Sequence, residues 1–101
     1  MLQTSSSPRF LVSPWGFDNI GAVLAKMGKG FEHEQIGWAK IKSATSLRGG
    51  DVLFVNCAMR FAFGYGKRVA PALRDFVAEG GVLYASDWAV AGVNAAFPEM
   101  V

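Results

Sequence analysis

The sequence contains one cysteine, Cys57, and one histidine, His33, and both scarcities limit the chemistry available to the chain. A single cysteine excludes a disulfide within the chain. One cysteine and one histidine are also too few for the usual zinc sites, which take Cys and His ligands in sets of three or four. The sequence therefore indicates neither a metal site nor a cofactor, and the cysteine content fits a reducing compartment.

Charged residues are scarce as well, at 18% of the 101 residues, and the net charge is +2. That charge is too small for a nucleic-acid-binding domain, which usually carries a concentrated basic surface. No apolar run approaches the ~18 residues that cross a membrane, and the opening MLQTSSSPR lacks the apolar stretch of a signal peptide. We therefore expect a cytoplasmic protein that binds neither nucleic acid nor membrane.

Apolar residues, in contrast, are abundant at 51% of the chain, which is a composition that forms a core rather than a disordered segment. A domain of about 100 residues has difficulty burying so many apolar side chains by itself. We expect a flexible Ser-rich leader over residues 1–8. A single α/β domain, minimal or truncated, follows over residues 9–101, with part of its surface covered by another chain.

Hydrophobic periodicity predicts four short strands. Apolar runs indicate strands at residues 10–12, 51–55 and 82–85, and a looser alternation indicates a weaker edge strand at residues 35–41. The continuous apolar character of residues 51–55 is typical of a strand that is covered on both faces.

Helical spacing of apolar residues predicts helices at residues 20–27 and 67–79, and glycines follow both of them. Asp18 or Asn19 is placed to cap the first helix. Pro71 falls near the first turn of the second helix, where its missing N–H costs little. Residues 43–48 are expected to form a helical turn and residues 89–96 a last helix.

The order of these elements is strand, helix, strand, turn, strand, helix, strand, helix, without hairpin signals. Such alternation indicates parallel strands joined by right-handed crossovers, with helices on both faces of the sheet. We predict an α/β three-layer sandwich of flavodoxin-like type. Its small parallel sheet has about four strands in the order 2-1-3-4.

In sheets of this kind, ligands bind beyond the carboxyl ends of the strands, at the switch point between strands 1 and 3. The segments that end strands 1, 3 and 4 meet there, together with the loop of residues 59–66 and the helix start that follows it. We predict a ligand-binding rim of eleven residues from these segments: Ser13, Trp15, Gly16, Asn56, Cys57, Arg60, Tyr65, Gly66, Ser86, Asp87 and Trp88.

Two of these residues are also weak candidates for a catalytic nucleophile. Cys57 has basic neighbours in sequence that favour a thiolate, but a small half-buried thiol at a strand end is the simpler interpretation. His33 is predicted at the opposite end of the sheet, so a base would have to come from a neighbouring subunit. Ser86 follows a strand as an elbow serine does, but it lacks the flanking glycines, and a cap of the last helix by Ser86 or Asp87 is the simpler interpretation.

The segment GYGKR at residues 64–68 is similar to a glycine-rich anion cradle at a helix start. It lacks the spacing of the common phosphate-binding loop, and a solvated loop is the simpler interpretation. The aromatic residues Phe61, Phe63 and Tyr65 alternate beside it. If they are exposed, they suit a protein interface or a lid.

Residues 51–88 resemble the class I glutamine amidotransferase-like superfamily, and within it the trehalose-utilisation-type domains. The resemblance lies in DVLFV at 51–55, ALRDFVAEGG at 72–81 and VLYASD at 82–87, which are similar to that family's strand, helix and strand entering the active-site elbow. It implies a flavodoxin-like fold. By position, the family's catalytic cysteine falls near Ser86, and Cys57 falls on the oxyanion-hole side.

The chain departs from this family at the elbow, which has neither a cysteine nor flanking glycines, and no histidine follows it. The resemblance therefore implies a degenerate, non-catalytic member or a minimal one. This fold normally continues after strand 4, so strand 4 is expected to be an exposed edge that pairs with another chain.

We therefore expect a non-catalytic domain that acts in protein interaction and assembly, as a homo-oligomer or a subunit, or in sensing a small or anionic ligand. The alternative is a small hydrolase or transferase that uses Cys57 or Ser86 with a base supplied across a subunit interface. A third possibility is a nucleotide or phosphate binder that uses residues 64–68.

Overall fold

The computed structural model describes residues 8–43 and 47–100 of the chain. Residues 1–7 of the predicted leader and residues 44–46 of the turn predicted at residues 43–48 lie outside them. The described residues form strands β1 (Phe10–Val12), β2 (His33–Gln35), β3 (Val52–Val55) and β4 (Val82–Ala85), and helices α1 (Ile20–Met27), α2 (Trp38–Ser43), α3 (Tyr65–Ala78) and α4 (Val90–Ala96). Short 3₁₀ segments lie at Met59–Phe63, Asp87–Ala89 and Pro98–Met100.

The four strands form one parallel sheet in the order β2-β1-β3-β4, which confirms the predicted flavodoxin-like α/β sandwich. Leu11 of β1 lies beside Glu34 of β2 and Leu53 of β3, and Leu53 lies beside Leu83 of β4. Within the described part of the chain, no helix has the length and apolar character needed to cross a bilayer.

The main core lies between one face of the sheet and helices α2, α3 and α4. Alternate side chains of the strands point into it, so Leu11, Leu53 and Val55 are each at most 2% exposed. The helices contribute the buried residues Ile41, Val69, Leu73, Phe76 and Ala96, and the 3₁₀ segment before α4 contributes Ala89. This face is therefore closely packed except at β4, where Leu83 and Ala85 are partly buried.

The opposite face of the sheet is covered by α1 alone. A right-handed crossover from β1 to β2 runs toward one edge of the sheet, whereas the later crossovers run toward the other edge, so their helices lie on opposite faces. As a result, Val52 and Phe54 are partly buried, and Val82 and Tyr84 are 56% and 55% exposed. The expectation that residues 51–55 are covered on both faces therefore holds fully on the core face and only in part on the face of α1.

The second strand and the following helix also differ from the prediction. Residues 35–41 were expected to form one strand, but β2 is His33–Gln35 and Trp38–Ser43 is helical. The carbonyl of Gly37 accepts hydrogen bonds from the third and fourth residues after it, which starts a helical turn. That turn buries Ile41 in the main core, and this burial outweighs the weak alternation of the segment.

Helix α3 starts two residues earlier than predicted, and the predicted loop 59–66 is largely the 3₁₀ segment Met59–Phe63. Gly64 joins the two with φ of 84°, a left-handed conformation that glycine adopts without a steric penalty. Pro71 is consequently the seventh residue of the helix and lies beyond the first turn, so its predicted position is wrong.

A buried ion pair closes the amino end of the sheet. The Arg9 guanidinium donates to both carboxylate oxygens of Asp51, with distances of 3.2 Å from Nε and 2.6 Å from Nη2. Asp51 is 4% exposed. Burial opposes ionisation of its carboxyl, but hydrogen bonds from the Arg9 side chain and backbone and from the Arg48 N–H outweigh this, and the pKa of Asp51 is lowered.

Candidate functional site

Asn56 and Ser13 connect the carboxyl ends of β1 and β3. The Asn56 backbone N–H donates to the Ser13 hydroxyl at 2.8 Å, and the Asn56 side-chain amide donates to the Ser13 carbonyl at 2.7 Å. The Asn56 side-chain oxygen accepts the N–H of Ile20, the first residue of α1, at 2.8 Å. Asn56 is 0% and Ser13 1% exposed. Their polar groups are thus occupied in holding the two strand ends and α1 together.

Asp18 connects the carboxyl ends of β3 and β4. One of its carboxylate oxygens accepts the backbone N–H of Cys57 at 2.7 Å, and the other accepts the Ser86 hydroxyl in a short contact. The Ser86 hydroxyl also accepts the Cys57 N–H at 3.2 Å. The Ser86 hydroxyl also lies 3.5 Å from the Val55 carbonyl, so the polar groups of this network are occupied by one another and by the end of β3.

Sequence reasoning considered Asp18 only as an alternative cap for α1. The structure shows that Asn19 is the cap, because its side-chain oxygen accepts the Ala22 N–H at 3.0 Å. The signal for a second role lay in the sequence: two adjacent residues could cap one helix, so one of them was left for other bonds. Asp18 is the member of the network that sequence reasoning missed.

The structure shows the surroundings of the two nucleophile candidates. Cys57 is 3% exposed, so a substrate does not reach its thiol in this conformation. Ser86 is bonded to a carboxylate, which is a much weaker base toward a hydroxyl than the imidazole of a serine triad. His33 is the first residue of β2, at the amino end of that strand, and its ring lies beside the first turn of α1, where a Cβ on Gly21 would be 3.1 Å from the His33 Nε2.

Exposed aromatic side chains lie at the carboxyl ends of β1 and β4. Phe17 and Trp88 stack edge to face with ring centroids 5.4 Å apart. Trp15 precedes Phe17 on the β1–α1 loop. Trp15 is 67% and Phe17 60% exposed, so these rings form a surface rather than a lid over the core. Gly16 brings this loop against β3, since a Cβ there would lie 2.6 Å from the Cys57 carbonyl oxygen.

Asp87 follows Ser86 and has φ of 48°, the one positive φ among the described residues other than glycine. Aspartate tolerates this left-handed conformation better than most residues do. Asp87 is exposed and begins the 3₁₀ segment before α4. It turns the chain sharply at the end of β4.

The segment after β3 is organised around three aromatic rings. Trp38, Phe61 and Tyr65 contact one another edge to face, with centroid distances of 5.5–5.7 Å. Phe61 is 5% exposed, Tyr65 is half-buried, and Phe63 is 80% exposed. The guanidinium of Arg60 stacks on two of these rings, at 4.9 Å from the centroids of Trp38 and Tyr65.

Beside this cluster lies a hollow of about 280 Å³ lined by Arg60, Phe63, Tyr65 and Arg68. Gly66 does not line it. A Cβ at Gly66 would lie 2.7 Å from the Ala91 carbonyl oxygen, so this glycine is where α3 packs closely on α4. The predicted glycine cradle is therefore replaced by arginine side chains and aromatic rings.

The eleven residues of the predicted rim fall into distinct groups. Hydrogen bonds join Ser13 to Asn56 and Cys57 to Ser86. The remaining rim residues lie in four places. Trp15 and Trp88 are on the exposed surface, and Arg60 and Tyr65 are at the hollow. Gly16 and Gly66 are at close backbone approaches, and Asp87 is at the turn after β4. Across residues 8–43 and 47–100, no three His, Cys, Asp or Glu side chains are grouped to hold a metal ion.

A second surface lies on the sheet face that carries α1. A groove of about 380 Å³ runs there between α1 and the strands, and its lining is mainly apolar: Phe10, Ile20, Val23, Leu24, Met27, Phe31, Phe54 and Tyr84. Val23 and Met27 are 58% and 52% exposed, which is similar to Val82 and Tyr84 of β4. Exposed apolar patches of this kind mark interaction surfaces.

Comparison with known proteins identifies no relative of this chain: no family model matches it, and neither a curated protein nor a solved structure is significantly similar to it.

Proposed function

We propose that this chain is a non-catalytic domain of the amidotransferase-like kind whose role is assembly, and that it associates with a second copy of itself through β4 and the neighbouring uncovered face of the sheet. The exposure of Val82 and Tyr84 on an edge strand carries the proposal. The single free cysteine fits a cytoplasmic location for this assembly.

The two edges of the sheet differ in a way that supports β4 as the interface. Charged and polar residues protect edge strands from pairing with other chains. The edge strand β2 consists of His33, Glu34 and Gln35, whereas β4 has the sequence VLYA and carries neither a charge nor a proline. Among the described residues β4 pairs with β3 alone.

The backbone of β4 offers free hydrogen-bonding groups along its outer side. The N–H groups of Val82 and Ser86 donate to β3, at 2.9 Å and 3.2 Å. Because bonding direction alternates along a strand, the N–H groups of Leu83 and Ala85 point away from the sheet. A second β4 strand related by a twofold axis is antiparallel to the first and satisfies these groups in both copies.

Twofold pairing around Leu83 is also self-complementary in its side chains. It sets Val82 of each copy opposite Tyr84 of the other, on the uncovered face, and pairs of aromatic and β-branched residues stabilise such contacts. A stable interface takes about 800 Å² from each partner, roughly one eighth of this domain's 6033 Å² surface. The exposed apolar side chains of α1 add to the area that strand pairing covers.

The enzyme alternative has less support. It requires Cys57 or Ser86 to meet a base from another subunit, yet the thiol is buried and the hydroxyl is engaged by Asp18. These two residues lie at the carboxyl end of the sheet, where their hydrogen bonds hold strand ends. Their arrangement suits a structural role in a non-catalytic domain.

Ala85→Pro tests the proposal, because proline removes the outward N–H of Ala85 and leaves the inward bonds of β4 intact. The matched control is Gln35→Pro, which removes an outward N–H on β2, since the Ile36 N–H donates inward to Val12 at 2.8 Å. In size-exclusion chromatography with light scattering, we expect a dimer for the unaltered chain and for Gln35→Pro. We expect a monomer for Ala85→Pro.

Tyr84→Lys is a second variant, which places a charge on the uncovered face of the sheet and leaves the backbone of β4 unchanged. It too should give a monomer. Circular dichroism identifies any variant that has failed to fold. A monomeric unaltered chain, or folded Ala85→Pro and Tyr84→Lys that remain dimeric, would overturn the proposal. A larger assembly that both variants leave intact would place the interface elsewhere.

A further inference from the structure

Positive charge is concentrated in one stretch of the chain. Between Asp51 and Asp75 there is no acidic residue, whereas this stretch contains four basic ones: Arg60, Lys67, Arg68 and Arg74. Arg74 donates to Glu99 and to the Ala96 carbonyl. In the described residues, neither the Arg60 nor the Arg68 side chain makes a hydrogen bond or an ion pair with the protein, so their guanidinium donors are available.

Arg60 is held in a defined orientation although its hydrogen-bond donors are free. Its guanidinium lies 4.9 Å from the ring centroids of both Trp38 and Tyr65. These rings are themselves fixed, because they pack on buried Phe61 and because the Tyr65 hydroxyl donates to the Trp38 carbonyl at 3.3 Å. Stacking of this kind leaves the edge of the guanidinium plane free to bind an oxyanion with two parallel hydrogen bonds.

The hollow beside Arg60 combines this charge with an apolar surface. Arg60 and Arg68 line it together with the rings of Phe63 and Tyr65, and none of the acidic side chains that the structure describes lines it. Its volume of about 280 Å³ is just below the usual range for small-molecule sites, so it accommodates a small ligand with one ring. The first turn of the 14-residue helix α3 lies at the same place and adds partial positive charge.

We propose that this hollow binds a small molecule in which a phosphoryl group is attached to an aromatic ring. The two arginines bind the phosphoryl oxygens, and the ring packs against Phe63 and Tyr65. This site lies at the start of α3 and shares no residue with the proposed β4 interface. A result that contradicts the assembly proposal therefore does not affect this one.

Phenyl phosphate is the probe, with inorganic phosphate and phenol as comparison ligands in isothermal titration calorimetry of the full chain. We expect phenyl phosphate to bind about tenfold more tightly than inorganic phosphate, because ring packing of this kind contributes about 1.4 kcal/mol. Phenol should give no measurable binding. Absence of binding by phenyl phosphate, or equal affinity for phenyl phosphate and phosphate, would overturn the proposal.

Arg60→Gln and Arg68→Gln should each weaken phenyl phosphate binding by tenfold or more, since each removes a charged hydrogen-bond donor. Lys29→Gln removes one positive charge outside the hollow, in the exposed turn after α1, and is the matched control. It should bind as the unaltered chain does. Equal losses in all three variants would show a nonspecific charge effect and contradict the site.

Because Arg60 and Arg68 are exposed, both glutamine variants should fold, and circular dichroism verifies this. A phosphotyrosine peptide serves as a further probe. If that peptide binds while phenyl phosphate does not, the hollow is part of a protein interface and the small-molecule proposal is wrong.

Discussion

Among single residues, Asp51 makes the densest set of polar contacts in the described chain. Its carboxylate accepts hydrogen bonds from the side chain and backbone of Arg9 and from the backbone of Arg48. Its own backbone carbonyl accepts the Val82 N–H at 2.9 Å. One residue thus connects the chain before β1, the start of β3 and the start of β4.

Replacing Asp51 by asparagine keeps the size of the side chain and removes its charge. We expect the free energy of unfolding at neutral pH to fall by about 2 kcal/mol, because charged hydrogen bonds to a buried group are lost. The lowered pKa of Asp51 in the folded state sets the sign of the pH dependence. The stabilisation is full above the unfolded-state pKa, near 3.8, and is lost as pH falls through the lower folded-state pKa.

Urea unfolding of Asp51→Asn and of the unaltered chain, at neutral pH and below pH 3.8, measures this difference. The gap between the two proteins should shrink on acidification. Glu99→Gln is the control, because the ion pair between Arg74 and Glu99 is exposed and should leave stability nearly unchanged. A gap that persists unchanged in acid would contradict the role assigned to the Asp51 charge.

At the scale of elements, close packing of α3 on α4 determines how the main core is completed. Gly66 in the first turn of α3 lies against the backbone of α4, where an added Cβ would be 2.7 Å from the Ala91 oxygen and 2.9 Å from the Gly92 nitrogen. Both are backbone atoms of a helix and cannot move independently. Gly66 was predicted to bind a ligand, whereas the structure places it in this helix contact.

Gly66→Ala therefore has two opposing effects on the stability of the folded state. Alanine favours a helix over glycine by about 1 kcal/mol, whereas forcing two packed helices apart costs about 1–3 kcal/mol. Because the contact involves backbone on both sides, we expect the packing cost to prevail and the melting temperature to fall. In Gly37→Ala, the control, the added Cβ meets no atom within 4 Å, and the melting temperature should not fall.

Thermal unfolding followed by circular dichroism distinguishes the two variants. A higher melting temperature for Gly66→Ala would mean that α4 moves away at little cost and that its packing on α3 is loose. Such a result would contradict the close helix contact described above.

For the molecule as a whole, the main feature is the difference between the two faces of the sheet. One face is closed by three helices, and its central side chains, such as Leu53 at 0% exposure, have no access to solvent. The other face carries α1 and leaves Val82 and Tyr84 more than half exposed. Stability should therefore come mainly from the first face and association from the second.

Leu53→Ala and Val82→Ala test this division on neighbouring strands. We expect Leu53→Ala to lower the free energy of unfolding by about 3 kcal/mol, because it opens a cavity in a closed core. Val82→Ala, measured in the monomeric Ala85→Pro background, should change it by less than about 0.5 kcal/mol. In the unaltered background, Val82→Ala should weaken dimer formation in sedimentation equilibrium. Similar losses of stability in both variants would contradict the division of roles.

The order of elements, the parallel sheet and three of the four strands were predictable from the sequence, because these depend on local periodicity and on the handedness of crossovers. The resemblance to amidotransferase-like domains and the proposed roles stay predictions. Residues 35–41 were misassigned because Ile41 is helical for a tertiary reason, namely its burial against α3.

The candidate site was likewise predictable from the sequence only in part. The sequence alone determined that Ser13, Asn56, Cys57 and Ser86 meet at one edge, since the carboxyl ends of parallel strands always do. Only the tertiary structure decided that their polar groups bond to one another and to Asp18, and that Arg60 stacks on rings from two helices. Side-chain partners far apart in sequence depend on packing in three dimensions, which a one-dimensional pattern does not encode.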